Sequence, residues 1–199
     1  MTRRECLRRA GVLSAAVILA LYGSPSGAAD PQPVTVLVTY HSVSGNTEKM
    51  AQAVAEGAKA VSGTSVVLKR VGEVIGDDLL SSDAVIVGSP VYVGNMSGEV
   101  KTFLDNWGLK FGLGTGTGKM RNKVGAAFAT GASVSNGKEV TMLTILASML
   151  SQQMIVIRGA SATTGPDSPG IDAKEIAEAR DLGKRVAEVT ALVKRGSSK

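Results

Sequence analysis

Val34-Thr35-Val36-Leu37-Val38-Thr39-Tyr40-His41-Ser42-Val43-Ser44-Gly45-Asn46-Thr47 passes within fourteen residues from one regime of patterning to another. The Val34–Val38 run is short, apolar and β-branched, the mark of a strand covered on both faces. His41–Thr47 is a polar loop. Beyond it Met50, Ala51, Val54, Ala55, Ala58 and Val61 recur at three- and four-residue spacing, which predicts a helix over 47–61. A buried strand, a hydroxyl-rich loop and an amphipathic helix form the first half of a βαβ unit. The helix start offers free N–H groups and a dipole that favours an anion.

The alternation continues to the end of the chain. Val66–Leu68, Asp83–Gly88, Lys123–Thr130 and Met154–Ile157 read as further strands. Helices are expected at about Ser97–Asn106, Lys138–Leu150 and Asp172–Val193, with room for a turn or two between Val71 and Ser82. Strands alternating with helices imply a parallel sheet covered on both faces, because right-handed crossovers place the helices there. At this size the expectation is an α/β, flavodoxin-like three-layer sandwich with a five-stranded parallel sheet in the order 2-1-3-4-5. Its ligand crevice lies at the carboxyl ends of strands 1 and 3, where the winding reverses.

Three loops then carry the chemistry. In the first, Ser42, Ser44 and Thr47 offer hydroxyls and Gly45 lets the backbone wrap a phosphate. Neither G-x-x-x-x-G-K-[ST] nor G-x-G-x-x-G occurs there, which points away from a nucleoside triphosphate or a dinucleotide and toward a monophosphate. A plain helix cap through Asn46 or Thr47 is the other reading of the same residues. The second loop, Gly88–Met96, contains Pro90, Val91, Tyr92, Val93, Gly94 and Asn95. Tyr92 could lay its ring on a flat ligand or pack half-buried. The third begins Thr130-Gly131-Ala132 and stays small through Gly137. It reads as close-lying amides or as a surface loop.

Composition limits the alternatives. The only cysteine of the 199 residues is Cys6 and the only histidine is His41. Past residue 29 no disulfide, iron–sulfur cluster, cysteine nucleophile or histidine-rich metal site can form, so no metal is expected. Redox work would need an organic cofactor. His41, alone beside a strand, reads as structural, with donation to a phosphate or acceptor as the second reading. The net charge is +5, of which Arg3, Arg4, Arg8 and Arg9 against Glu5 supply +3. The remaining cations are scattered without a stripe, which disfavours nucleic acid.

Residues 1–29 read as an export signal preceding a domain over 30–199. A basic start precedes an apolar stretch from about Ala10 to Tyr22 and small residues ending at Ala28-Ala29. Arg3-Arg4-x-x-Leu7-Arg8 is similar to the twin-arginine signal, with Cys6 where that motif usually has Phe. The expectation is an exported, periplasmic or extracytoplasmic protein. An uncleaved N-terminal membrane anchor is the alternative.

S-x-S-G-N-T after strand 1, with S-P-V-Y-x-G-N-M-S-G-x-x-K-x-F-L-D after strand 3, resembles the flavodoxin-like FMN proteins. It is most similar to the NAD(P)H:quinone oxidoreductases of the tryptophan-repressor-binding-protein (WrbA) type, over roughly 34–195. The resemblance implies that Ser42, Ser44, Gly45, Asn46 and Thr47 hold the FMN phosphate. Pro90, Val91, Tyr92, Val93, Gly94 and Asn95 would line the ring, and Thr130, Gly131 and Ala132 its pyrimidine side. Tyr92, Trp107 and Phe111 are the candidates for shaping the acceptor site; no catalytic side chain is assigned. The implied partners are NAD(P)H as donor, a quinone or similar small acceptor, a redox partner protein if the role is electron carriage, and further copies in a homodimer or homotetramer. Two departures stand out. The link between strands 2 and 3 is short where the family often has an insertion. Ser151-Gln152-Gln153 precedes strand 5 where it often has a histidine.

Overall fold

The computed structural model describes residues 32–134, 136–165 and 170–197. The expected export leader over 1–29 lies outside the described residues. The described residues form seven strands and five α-helices. The strands are β1 (Val34–Tyr40), β2 (Thr64–Arg70), β3 (Ala84–Tyr92), β4 (Asn95–Met96), β5 (Val124–Gly131), β6 (Ile155–Val156) and β7 (Ala160–Thr163). The helices are α1 (Asn46–Lys59), α2 (Gly76–Ser81), α3 (Gly98–Leu109), α4 (Lys138–Ser151) and α5 (Ala173–Ser197).

The sheet runs β2-β1-β3-β5-β6, with β7 continuing the last position beside β5 and β4 folding back on β3. Apart from the antiparallel β3–β4 pair every pairing is parallel. This is the flavodoxin-like arrangement, with two departures from five simple strands. First, β3 continues to Tyr92 and turns back through Val93 (φ 49°) and Gly94 (φ 79°) to pair Tyr92 with Asn95. Two successive positive φ values are the signature of a tight hairpin turn whose twist matches its strands. Secondly, the last strand is interrupted. Gly125 pairs with Val156 and Phe128 with Ala160, so four residues on the edge match three on β5. That extra residue is a bulge. A Cβ on Gly159 would collide with the Ala127 carbonyl.

Each face of the sheet has its own core. Val36, Val38, Ile86, Ala126 and Phe128 pack against α1 and α5 through Met50, Val54, Leu182 and Val186. Leu37, Val85 and Val87 pack against the other helices through Leu79, Val100, Phe103, Trp107, Ile145 and Met149. Gly88 sits where a Cβ would strike the Phe128 ring. That contact fits β3 closely against β5, while β1 pairs with β3 up to Tyr40 and Gly88, so the first two loops leave the sheet at the same level.

Candidate functional site

The first loop ends on Gly45, which caps α1 in the left-handed region at φ 85°. No side chain accepts from the first turn of α1. Asn46 instead donates from Nδ2 to Ser44 Oγ at 3.3 Å, and the Thr47 and Thr130 hydroxyls meet at 2.8 Å. The plain-cap reading through Asn46 or Thr47 therefore fails, and the N–H groups of the first turn stay open. Beside them Ser42 Oγ is buried with no hydrogen-bond partner. Unpaired buried hydroxyls are uncommon and ask for a reason. Open amides at a positive helix end and an unpaired buried hydroxyl fit a bound phosphate. They fit the monophosphate of FMN.

Contacts within the chain bring the three loops together. Thr47 meets Thr130, joining the first and third. His41 N–H donates to the Gly88 carbonyl at 3.1 Å, and its ring stands edge-on to Tyr92 with centroids 6.0 Å apart, joining the first and second. Asn95 Oδ1 accepts from Thr144 Oγ1 at 2.9 Å, and Gly137 at φ 102° packs on the Gly94 carbonyl, tying the second to the start of α4. Tyr92 is 42% exposed and Val93 wholly so. Pro90 and Val91 are half-buried, and Gly94 and Asn95 are exposed. Gly131 is buried and Ala132 exposed. The third loop closes on itself. With the Asn136 amide oriented to satisfy both neighbours, its oxygen accepts from Ala132 N–H at 2.9 Å and its nitrogen donates to the Ser133 carbonyl at 3.2 Å.

Two aromatic candidates part company. Trp107 is 1% exposed, packed edge-on against Phe103 in the core between the sheet and α3. It points into the protein and forms no part of the crevice, which corrects its place among acceptor-site candidates. Phe111 is half-buried and lines a neighbouring cavity of about 780 Å³ together with Tyr40, His41, Arg70, Glu99 and Asn106. His41 is shared between this cavity and the loops. Its Nδ1 lies 2.9 Å from Ser97 Oγ and 3.4 Å from Glu99 Oε2.

A brace behind the first loop is not visible in the pattern of the sequence. Arg70, the last residue of β2, donates to the Ser42 carbonyl at 2.8 Å and to Glu48 Oε2 at 2.6 Å, and lies over the Tyr40 ring at 5.5 Å. Tyr40 donates to Glu48 Oε1 at 2.8 Å. Burial first, then this bond to Glu48, holds its phenol above the usual range, so it stays a donor. The brace fixes the carbonyl of Ser42 while leaving its hydroxyl unpaired. Glu48, alone, reads only as an acid favoured in a first helical turn. Among the described residues no cluster of three or more His, Cys, Asp or Glu could hold a metal.

Comparison with known proteins agrees with this fold. A family model described as NADPH-dependent FMN reductase matches residues 67–167. A NAD(P)H dehydrogenase (quinone) of Acidithiobacillus ferrooxidans is 32% identical over 196 residues, covering 78% of this chain and 96% of that protein. A flavodoxin of Aquifex aeolicus is 34% identical over 170 residues, covering 79% and 87%. Among solved structures, a WrbA-like flavodoxin of Agrobacterium tumefaciens superposes with a TM-score of 0.67 at 26% identity, covering 80% of this chain and 98% of that one.

Proposed function

The chain belongs to the NADPH-dependent FMN reductase family and is flavodoxin-like of the WrbA type, with FMN and NAD(P)H as cofactors, and from that membership we propose that it passes two electrons from NAD(P)H to a quinone or similar small acceptor. The balance is NAD(P)H + H⁺ + quinone → NAD(P)⁺ + hydroquinone. When bound, FMN supplies the two-electron relay between donor and acceptor.

The chain's own part is to seat, orient and shield. Ser42, Ser44, Gly45, Asn46 and Thr47 hold the phosphate, with Arg70 bracing the loop from behind. Pro90, Val91, Tyr92, Val93, Gly94 and Asn95 flank one side of the ring, and Thr130, Gly131 and Ala132 the other. Tyr92 and Phe111 remain the aromatic candidates near the acceptor. His41 lies between the phosphate loop and the cavity that Phe111 lines, where its ring can donate to an acceptor oxygen. On this reading residues 1–29 direct the protein, already folded around its cofactor, out of the cytoplasm.

The observation that carries the proposal is the open start of α1 beside the unpaired Ser42 hydroxyl. The test is the visible spectrum of the purified protein, followed by steady-state oxidation of NADH or NADPH with benzoquinone. A yellow protein that sustains turnover supports the reading. The similarity to the Aquifex flavodoxin favours a second one, electron carriage for a redox partner protein. A yellow protein without turnover supports that role, and a colourless one that takes up no FMN sinks both.

A further inference from the structure

Lys138 is the one buried charged side chain among the described residues, at 4% exposure. It opens α4, where the positive end of the helix dipole opposes a cation. Its ammonium donates to Thr163 Oγ1 at 2.6 Å, and no carboxylate among the described residues lies within ion-pairing distance. Glu175 stands one residue further off, accepting from the Thr163 N–H at 2.7 Å. A buried charge held by one neutral hydroxyl is costly unless an opposite charge arrives.

The stem of Lys138 runs behind the third loop: its Cγ lies 2.9 Å from where a Cβ on Gly131 would sit. On that loop the Ala132 N–H is occupied by Asn136, so it is not available to a ligand. The first loop carries no cation and neither does the second. Lys138 is a cation that the structure places against the third loop, its stem on Gly131 and its ammonium on Thr163, the register partner of Gly131. Reduced FMN at neutral pH is an anion, its charge on the pyrimidine edge. We propose that Lys138 is the fixed charge that stabilises the reduced, anionic flavin over the oxidised one, and so sets the potential at which the loaded protein works. This rests on FMN lying in the crevice with its pyrimidine edge toward Thr130, Gly131 and Ala132. At separations of several ångströms in a half-buried setting, one charge moves such an equilibrium by a measurable amount. A lysine that merely ties β7 to α4 would leave the potential alone.

The experiment is a spectroelectrochemical titration of the full chain loaded with FMN, as wild type, Lys138→Arg and Lys138→Met. Lys138→Met keeps the apolar stem and removes the charge. Its two-electron midpoint falls by about 30 mV, a roughly tenfold loss of preference for reduced over oxidised flavin. Lys138→Arg stays near wild type, and in both variants the affinity for oxidised FMN changes by less than about threefold. Where Lys138→Met does not fold, Lys138→Gln, which keeps a polar head for Thr163, carries the same expectation. A folded, FMN-loaded charge-removing variant with the wild-type midpoint overturns the proposal. A wild-type chain that takes up no FMN overturns the cofactor reading itself, a failure visible before any variant is made.

Discussion

Two helices start at the same end of the sheet and are finished in opposite ways. α3 begins after Ser97, whose hydroxyl accepts from the Val100 N–H at 3.3 Å, while its own N–H donates to Ser89 Oγ at 2.9 Å. That start carries a side-chain cap. α1 begins after Gly45, with no side-chain acceptor for its first turn and the Ser42 hydroxyl buried and unpaired beside it. A side-chain cap is present at α3 and absent at α1. Between the two, the difference leaves α1 as the start with room for an anion, and the unpaired Ser42 hydroxyl beside it is the reason the proposal puts the phosphate there.

Reversing the difference is the strongest way to break it. Gly45→Asp sets a carboxylate beside the open N–H groups at a residue type that tolerates the left-handed region. FMN affinity, read by flavin fluorescence on titrating apoprotein, falls about 100-fold, equivalent to roughly 3 kcal/mol. An affinity within a few-fold of wild type would mean the phosphate sits elsewhere. Ser42→Ala sharpens the contrast at the next level. Removing an unpaired buried hydroxyl leaves the apoprotein at least as stable in thermal melts, while FMN affinity drops about tenfold for the lost bond to a charged group. A destabilised apoprotein with unchanged affinity would make Ser42 structural. Ser97→Ala should do the reverse. Losing the α3 cap costs about 1 kcal/mol of stability in the apoprotein, with FMN affinity held within about threefold.

What could be read ahead of the structure divides along a physical line. Strand runs such as Val34–Val38 and helix faces such as Met50-Val54-Ala58 report burial, and burial follows local periodicity. The passage from strand through Gly45 into α1 was legible because the strand run, the glycine and the helix face are sequence neighbours. The Val93-Gly94 hairpin was not, because β-branched Val93 is a poor residue for a positive φ and nothing local announces the turn. The bulge before Ala160 depends on pairing with β5, which local pattern does not encode. Trp107 was misplaced for a related reason. Its helix was legible, but which face of α3 meets the sheet is decided by Val100, Phe103 and Leu104 packing with it. The Arg70 brace joins residues 28 and 22 positions apart, beyond any local signal.

The contrast between an open and a closed helix start reduces to one comparison of ligands. Titration calorimetry of the apoprotein with FMN and with riboflavin, which lacks only the phosphate, isolates what the start of α1 contributes. FMN should bind at least about 100-fold more tightly, with the gap narrowing as salt rises. Equal affinities for the two would contradict the account.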